Sequence, residues 1–113
     1  PTDNTFASAM ATVSKIAEEY KLPTICGEQG MVESGGLATV GIDYYKLGKQ
    51  TGEMAVKILK DGANVAEMPI ESLDDTNICL NIDTAEAIGY EFPQSVTDKA
   101  VYLIKGGELV ENK

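Results

Sequence analysis

Hydrophobic positions near the start of the chain repeat with the period of an α-helix. After Asp3 and Asn4, apolar side chains recur three or four residues apart as far as Tyr20, which places them along one side of a helix. Asp and Asn are good N-cap residues, and Pro23 disfavours helical geometry in the residue before it. The pattern therefore predicts an amphipathic helix over about residues 4–20.

Two short apolar runs then predict buried strands on either side of a polar loop. The first run covers residues 24–27 and the second covers residues 37–42. Residues 28–36 between them are polar and rich in glycine, which predicts a loop with room for one helical turn. An alternation of helix and strand of this kind is typical of an α/β fold.

The longest helical pattern covers residues 43–60. Asp43 is placed to cap this helix, and Asp61-Gly62 is a typical C-terminal end. The apolar stripe consists of Leu47, Met54, Ala55, Ile58 and Leu59. Gly48 and Gly52 lie four residues apart on one face. Because each glycine costs a helix up to ~1 kcal/mol, we expect that face to pack closely against a neighbour.

The rest of the chain mixes strands and short helices. In order, the pattern predicts a linker over 64–68, strands over 69–73 and 77–81 with a turn between them, a helix that closes at Gly89, and a last helix over 94–105. Asp83 and Glu86 have the spacing of a capping box at the start of the first of these helices. Residues 106–113 are predicted to form a flexible tail.

Length and hydropathy indicate one globular domain. The chain has 113 residues, 43% of them hydrophobic, which is enough for one core. No apolar run approaches the ~18 residues that span a bilayer, and no targeting segment is visible. Since the chain does not begin with Met, we expect Pro1 to lie at the start of a helix rather than of a gene product.

Charge and composition disfavour nucleic-acid binding and catalysis. Eighteen acidic residues oppose nine lysines, which gives a net charge of −9, and the chain has no His or Trp. Phosphate neutralisation needs clustered cations, so we expect no nucleic-acid partner. Histidine is the commonest general base and metal ligand, and none of the common catalytic sequence motifs is present. We expect no catalytic residue, no metal and no cofactor.

Cys26 and Cys79 lie far apart in sequence, without the spacing of a zinc site. Both stand in apolar stretches, which favours two buried free thiols. A single disulfide between them is the alternative.

Several sequence phrases, taken in order, carry a resemblance to a known family. These are Pro-Thr-Asp-Asn-Thr (1–5), Leu-Pro-Thr-Ile-Cys-Gly-Glu (22–28), Gly-Gly-Leu-Ala-Thr-Val-Gly-Ile-Asp-Tyr-Tyr-Lys-Leu-Gly (35–48), Gln-Thr-Gly-Glu-Met-Ala (50–55) and Met-Pro-Ile-Glu (68–71). Together they resemble the C-terminal part of the substrate-binding proteins of ABC transporters. The resemblance covers nearly all of residues 1–105.

The resemblance implies a type I periplasmic-binding fold, in which two Rossmann-like, three-layer lobes close over a ligand. Residues 1–105 are then the C-terminal portion of such a protein, which is incomplete without the N-terminal lobe. Residues 1–41 belong to the C-terminal lobe. The helix from Asp43 is expected to follow a strand that crosses between lobes and to pack on the N-terminal lobe. Without that lobe, we expect the chain to bind solute weakly and to self-associate.

The function implied by the resemblance is that of the extracytoplasmic solute-binding component of an ABC importer. Its partners would be a membrane permease and an ATPase, and its location the periplasm or, as a lipoprotein, the cell surface. We expect the ligand to be an aromatic or apolar amino acid, because sugar sites characteristically use Trp and Arg and this chain has neither. A sugar receptor, the effector domain of a transcription regulator and an α/β enzyme remain the alternatives.

Four polar residues are the leading candidates for ligand contacts. Asp3 and Asn4 either cap a helix or face the cleft. Glu28 follows a strand directly and Asp43 lies at the crossing between lobes, so either carboxylate is placed to pair with the ammonium of an amino acid. Solvation of Glu28 and helix capping by Asp43 are the alternatives.

Glycine and tyrosine residues complete the candidate site. The backbone N–H groups of Gly35 and Gly36 are free to approach a ligand carboxylate, or the two residues simply form a turn. Tyr44 and Tyr45 supply apolar surface and a hydroxyl to the cleft, although we expect one of them to pack in the core.

Overall fold

The computed structural model describes residues 2–113, and Pro1 lies outside the described residues. The helices are α1 (Asn4–Ser8), α2 (Met10–Glu19), α3 (Gln29–Glu33), α4 (Tyr44–Leu59), α5 (Ile82–Ile88) and α6 (Gln94–Thr97), with a 3₁₀ turn at Val65–Glu67. The strands are β1 (Ile25–Cys26), β2 (Ala38–Ile42), β3 (Thr76–Asn81), β4 (Ala100–Lys105) and β5 (Glu108–Glu111). Two units result, one made of residues 2–41 and 77–113 and the other of Ile42–Thr76.

The first predicted helix is confirmed, but it is divided at Ala9. Asp3 caps α1, since its Oδ1 accepts a hydrogen bond from Phe6 N at 2.9 Å. Ala9 leaves helical geometry at φ −96° and ψ 5°, and α2 begins at the next residue. Met10, Ser14 and Ala17 of α2 are buried, and their spacing puts them on one face.

A five-stranded sheet in the order β1-β2-β3-β4-β5 organises the first unit. β1 runs parallel to β2, β3 runs parallel to β4, and β5 is antiparallel to β4. A hydrogen bond of 2.8 Å from Asn81 N to Leu37 O links the end of β3 to the beginning of β2. The predicted strands near 24–27, 37–42 and 77–81 are confirmed.

Helices cover both faces of this sheet. Leu80 and Leu103 belong to an apolar cluster that includes Ala85 and Ile88 of α5. Their neighbours in sequence, Cys79 and Ile104, belong to a second cluster with residues of α2 and α3. Since successive residues of a strand point to opposite faces, the two clusters lie on opposite sides of the sheet. The predicted α/β, three-layer fold class is confirmed.

The last predicted helix is wrong beyond its first turn. α6 ends at Thr97, and residues 100–105 form β4, because Val101, Tyr102 and Ile104 are residue types that favour strands. Gly106 and Gly107 adopt φ 61° and 76°, which are the dihedrals of a tight two-residue hairpin turn. Residues 108–111 then pair with β4, so the flexible tail predicted over 106–113 is wrong for residues 106–111.

The predicted capping box is also wrong, although its helix exists and closes at Gly89 as expected. Asn81 is the N-cap of α5, and its Oδ1 accepts a hydrogen bond from Thr84 N at 2.9 Å. Asp83 instead accepts hydrogen bonds from Gly106 N at 2.9 Å and Gly107 N at 2.8 Å. A long-range contact with the β4–β5 turn has replaced the local cap.

The second unit consists of α4 and the segment that follows it. The long helix predicted after Asp43 is confirmed, but none of its residues is buried, and Leu59 of the predicted stripe is 86% exposed. No described helix is long and apolar enough to cross a bilayer. A Cβ atom added at Gly48 or Gly52 would meet nothing within 4 Å, so no described residue packs against that face.

Residues 69–73 are not the predicted strand. Polar side chains hold this segment to α4, with Gln50 Nε2 donating to Glu71 Oε2 at 2.9 Å and Lys57 Nζ lying 3.6 Å from Glu71 Oε1. Lys46 forms an ion pair with Asp75 in the same way. The segment has a helix beside it instead of a strand partner, and Ile70 is fully exposed.

Candidate functional site

The carboxyl ends of β1 and β2 form the polar edge of the first unit. The two strands are parallel, with Ile25 opposite Ala38 and Cys26 opposite Thr39, so their ends meet at one edge of the sheet. Thr39 is buried and donates from Oγ1 to Cys26 O at 2.9 Å. Ligands of open α/β sheets bind outside such strand ends, which makes this edge the candidate site.

Glu28 stands at this edge, half-buried and held in one orientation. It caps α3, with Oε2 accepting from Gly30 N at 2.8 Å and Oε1 accepting from Met31 N at 2.9 Å. Each carboxylate oxygen can accept more than one hydrogen bond, so the cap leaves acceptor capacity for a ligand. The alternative in which Glu28 is merely solvated does not fit these two hydrogen bonds.

Gly41 brings the end of β2 against Glu28. A Cβ atom at Gly41 would lie 3.6 Å from Glu28 Cα and 3.3 Å from Thr39 Oγ1. Gly41 and Thr39 are not among the residues predicted for the site from the sequence. A signal was available, because glycine inside an apolar strand often marks a close approach of another backbone.

Asp3 and Asn4 lie exposed at the start of α1. The cap expected of this pair is confirmed for Asp3, which uses only Oδ1 for it. Asn4 is the first residue of the helix, and its carbonyl oxygen accepts from Ser8 Oγ at 2.7 Å. Contact of either side chain with a ligand stays a prediction.

The backbone of Gly35 and Gly36 is occupied within the chain. Gly35 N donates to Val32 O at 3.0 Å, and Gly36 N donates to Met31 O at 2.9 Å. A side chain at Gly35 would also strike Ser14, since a Cβ there would lie 2.7 Å from Ser14 Oγ, and φ is +105°. The turn, rather than a ligand carboxylate, accounts for both glycines.

Asp43 and Tyr44 belong to the second unit. Asp43 caps α4 through Oδ1, which accepts from Tyr45 N at 2.9 Å and from Lys46 N at 3.1 Å. The expectation that one tyrosine packs in the core is wrong, because Tyr44 is 56% exposed and Tyr45 is 83% exposed. Both rings are therefore open to a ligand or a partner surface.

These features describe an α/β unit with a candidate ligand-binding edge where β1 and β2 end. Among the described residues, no group of His, Cys, Asp and Glu side chains is arranged to hold a metal ion. The family described as ABC transporter substrate binding protein matches residues 1–104. The chain belongs to this family of binding proteins, as the resemblance in its sequence indicated, and the family is a non-enzymatic class.

Relatives of this chain include proteins named for aromatic amino acids. A tyrosine-binding protein from Clostridioides difficile (strain R20291) is 49% identical over 88 residues, which are 78% of this chain and 25% of that protein. The structure of an ABC domain in complex with L-Trp from Streptococcus pneumonia is 38% identical, with a TM-score of 0.80 over 92% of this chain and 36% of that one.

A third relative is known in an open form. It is a ligand-free substrate-binding protein with adhesive properties from Clostridium difficile, 52% identical, with a TM-score of 0.68. The match covers 88% of this chain and 33% of that one. The chain therefore spans between a quarter and about a third of the length of these relatives.

Proposed function

We propose that this chain forms part of the extracytoplasmic substrate-binding component of an ABC importer and contributes one wall of a cleft for an aromatic amino acid. The observation that carries the proposal is the half-buried residue Glu28 at the edge where β1 and β2 end: Gly41 lies beside its Cα, and the first turn of α3 fixes its carboxylate. Relatives named for tyrosine and for L-Trp favour the same ligand class.

The ammonium of the ligand requires a carboxylate, because an ammonium removed from water must be paired. Glu28 and Asp43 are the leading candidates, and each is already oriented by the helix it caps. Asp3 and Asn4 would supply further polar contacts, and the exposed ring of Tyr44 would supply apolar surface. Gly35 is no longer needed in this site, since its N–H is bonded to Val32 O.

The membrane permease and the ATPase of the transporter would be the partners, and the location would be the periplasm or the cell surface with a lipid anchor. Family membership supports both assignments.

A thermal-shift panel on the full-length receptor that carries this chain tests the ligand class. A ligand that binds only the folded state raises the melting temperature, by an amount that grows with its concentration over Kd. L-tyrosine and L-tryptophan should raise the melting temperature, whereas glucose, galactose and L-aspartate should leave it unchanged. A shift with a sugar and none with any amino acid would show that the ligand class is wrong.

A further inference from the structure

A cavity lies between α5 and α6, on the face of the sheet that α5 covers. Its volume is about 300 Å³, and we define this α5–α6 cavity by six residues of its wall, which are Ile82, Ala85, Glu86, Tyr90, Glu91 and Phe92. Ala85 belongs to the apolar cluster on this face, whereas α3, which Glu28 caps, contributes to the cluster on the opposite face. The cavity therefore shares no residue with the candidate site at the ends of β1 and β2.

The end of α5 positions the aromatic wall of this cavity. Gly89 adopts φ +74°, and Tyr90 N donates to Ala85 O at 2.8 Å, which is the hydrogen bond that closes a helix in a Schellman motif. Phe92 packs against the apolar cluster of the core. The rings of Tyr90 and Phe92 meet edge to face, with centroids 5.2 Å apart and planes at 78°. Backbone and core thus hold both rings in place before any ligand binds.

Two carboxylates stand at the rim of the cavity without a counter-charge. Ile82, Ala85 and Glu86 share one face of α5, because residues three and four apart are neighbours on a helix. Glu91 lies between the two aromatic residues in sequence, and both glutamates are exposed. None of the ion pairs among residues 2–113 involves either of them, and no lysine is among the described residues that line the cavity. The charge at the rim therefore favours a cation and repels an anion.

The walls of the cavity indicate which kind of cation fits. The faces of aromatic rings carry negative potential and attract a cation that lies within about 6 Å. Tyr90 is 42% exposed and Phe92 is half-buried, so the aromatic wall is open to a ligand. A primary ammonium holds its water tightly and would lose part of it against the apolar surface of Ile82 and Ala85. A quaternary ammonium has no N–H group to satisfy, and its methyl groups suit an apolar wall.

We propose that the α5–α6 cavity binds small organic cations with a methylated ammonium head group. Tyr90 and Phe92 contact the methyl groups, and Glu86 and Glu91 balance the charge. Because both carboxylates are exposed, each contact is weak, and the expected Kd is on the order of 1 mM. This inference does not depend on the proposed function, since it concerns another face of the sheet and another class of ligand.

Saturation-transfer NMR on the full-length receptor that carries this chain tests the proposal. The probes are choline and its neutral isostere, in which a tert-butyl group replaces the trimethylammonium group. Choline should bind with a Kd on the order of 1 mM, and the isostere should bind ~5-fold more weakly or not at all, because it lacks the charge. The choline signal should persist in saturating L-tyrosine, since the cavity is not the amino-acid site.

Substitutions at the rim assign the binding to this cavity. The double variant Glu86→Gln with Glu91→Gln should weaken choline binding ~3-fold or more. Tyr90→Leu should weaken it ~2–5-fold, and more than Tyr90→Phe, which keeps the ring. Glu108→Gln, which removes an exposed carboxylate from β5, should leave the Kd unchanged.

Melting curves establish that these variants are folded, and the double variant changes only exposed side chains, so it should melt as the wild type does. The proposal is overturned if choline and its neutral isostere bind alike, if the double variant binds choline as tightly as the wild type, or if L-tyrosine displaces choline.

Discussion

Individual polar side chains in this protein act mainly by holding backbone groups. Asp3, Glu28, Asp43 and Asn81 each cap a helix, and Asp83 binds the N–H groups of the turn between β4 and β5. The prediction of two buried free thiols is confirmed. Burial raises the pKa of Cys79 to about 11 and raises that of Cys26 as well, which favours the protonated form of both thiols.

Asp83 makes the stability of the β4–β5 hairpin depend on pH. Hydrogen bonds from Gly107 N and then from Gly106 N lower the pKa of Asp83 from its ordinary value of 3.8. A group whose pKa is lower in the folded state stabilises the fold fully above its unfolded pKa, and this contribution is lost as the pH falls through the folded pKa. Asp83→Asn should therefore lower the melting temperature at pH 7.

The difference in melting temperature between wild type and Asp83→Asn should become smaller in acid, because protonation of Asp83 removes the same interaction from the wild type. Melting curves by circular dichroism at pH 7, 4 and 2.5 measure this difference. A Tm difference between wild type and Asp83→Asn that is the same at all three pH values would show that the carboxylate charge is not what holds the turn.

At the scale of elements, local signals were sufficient for most helices and strands but not for the last third of the chain. Caps and 3.6-residue periodicity identified the helices before β1 and after β2. The helix predicted over residues 100–105 is a strand, because a continuous apolar run has no period that distinguishes the two. Asp83 was misassigned because its partners lie more than twenty residues away.

The candidate site shows the same division between features with a local sequence signal and features that depend on distant contacts. Glu28 was selected from the sequence because it follows an apolar strand directly, and its contact with a ligand stays a prediction. The occupied N–H groups of Gly35 and Gly36 depend on the exact fold of α3 and its turn, which no spacing rule specifies. The contact between Gly41 and Glu28 joins β2 to the N-cap of α3, and the one signal for it was a glycine inside an apolar strand.

Close packing at the turn after α3 makes Gly36 far less replaceable than the glycines of α4. A Cβ atom at Gly36 would lie 2.2 Å from Cys26 Sγ and 2.9 Å from Met31 O. Gly36→Ala should therefore lower the free energy of unfolding by ~1–3 kcal/mol through overpacking. Gly48→Ala, where nothing lies within 4 Å, should instead stabilise α4 by ~0.5–1 kcal/mol.

Urea unfolding of the two variants beside wild type provides the measurement. Equal free energies of unfolding for Gly36→Ala and wild type would mean that the α3 turn relaxes without cost and that the packing around Cys26 is looser than described.

At the scale of the whole molecule, the second unit lacks a core of its own. None of residues 42–76 is buried, and α4 carries Tyr45, Gly48, Gly52, Val56 and Leu59 at the spacing of one exposed helix face. Val56 is 50% exposed and Leu59 is 86% exposed. A face of this kind favours contact with another apolar surface, and we propose that this surface is the N-terminal lobe that the sequence resemblance implies.

The 113-residue chain studied alone should therefore self-associate. Sedimentation velocity should show a dimer or larger species whose population rises with concentration. Val56→Lys, which places a charge on the exposed face of α4, should shift the distribution towards monomer, whereas Ala87→Lys at an exposed position of α5 should not. A monomer at every concentration would show that the exposed face of α4 does not drive self-association.

The central claim is that a carboxylate of this chain holds the ammonium of an amino-acid ligand, and calorimetry on the full-length receptor tests it most directly. L-tyrosine should bind, and Glu28→Gln or Asp43→Asn should weaken binding roughly a hundredfold to several thousandfold, since leaving a buried charge unpaired costs ~3–5 kcal/mol. If both variants bind L-tyrosine as tightly as the wild type does, neither carboxylate pairs with the ammonium and the account of the site is contradicted.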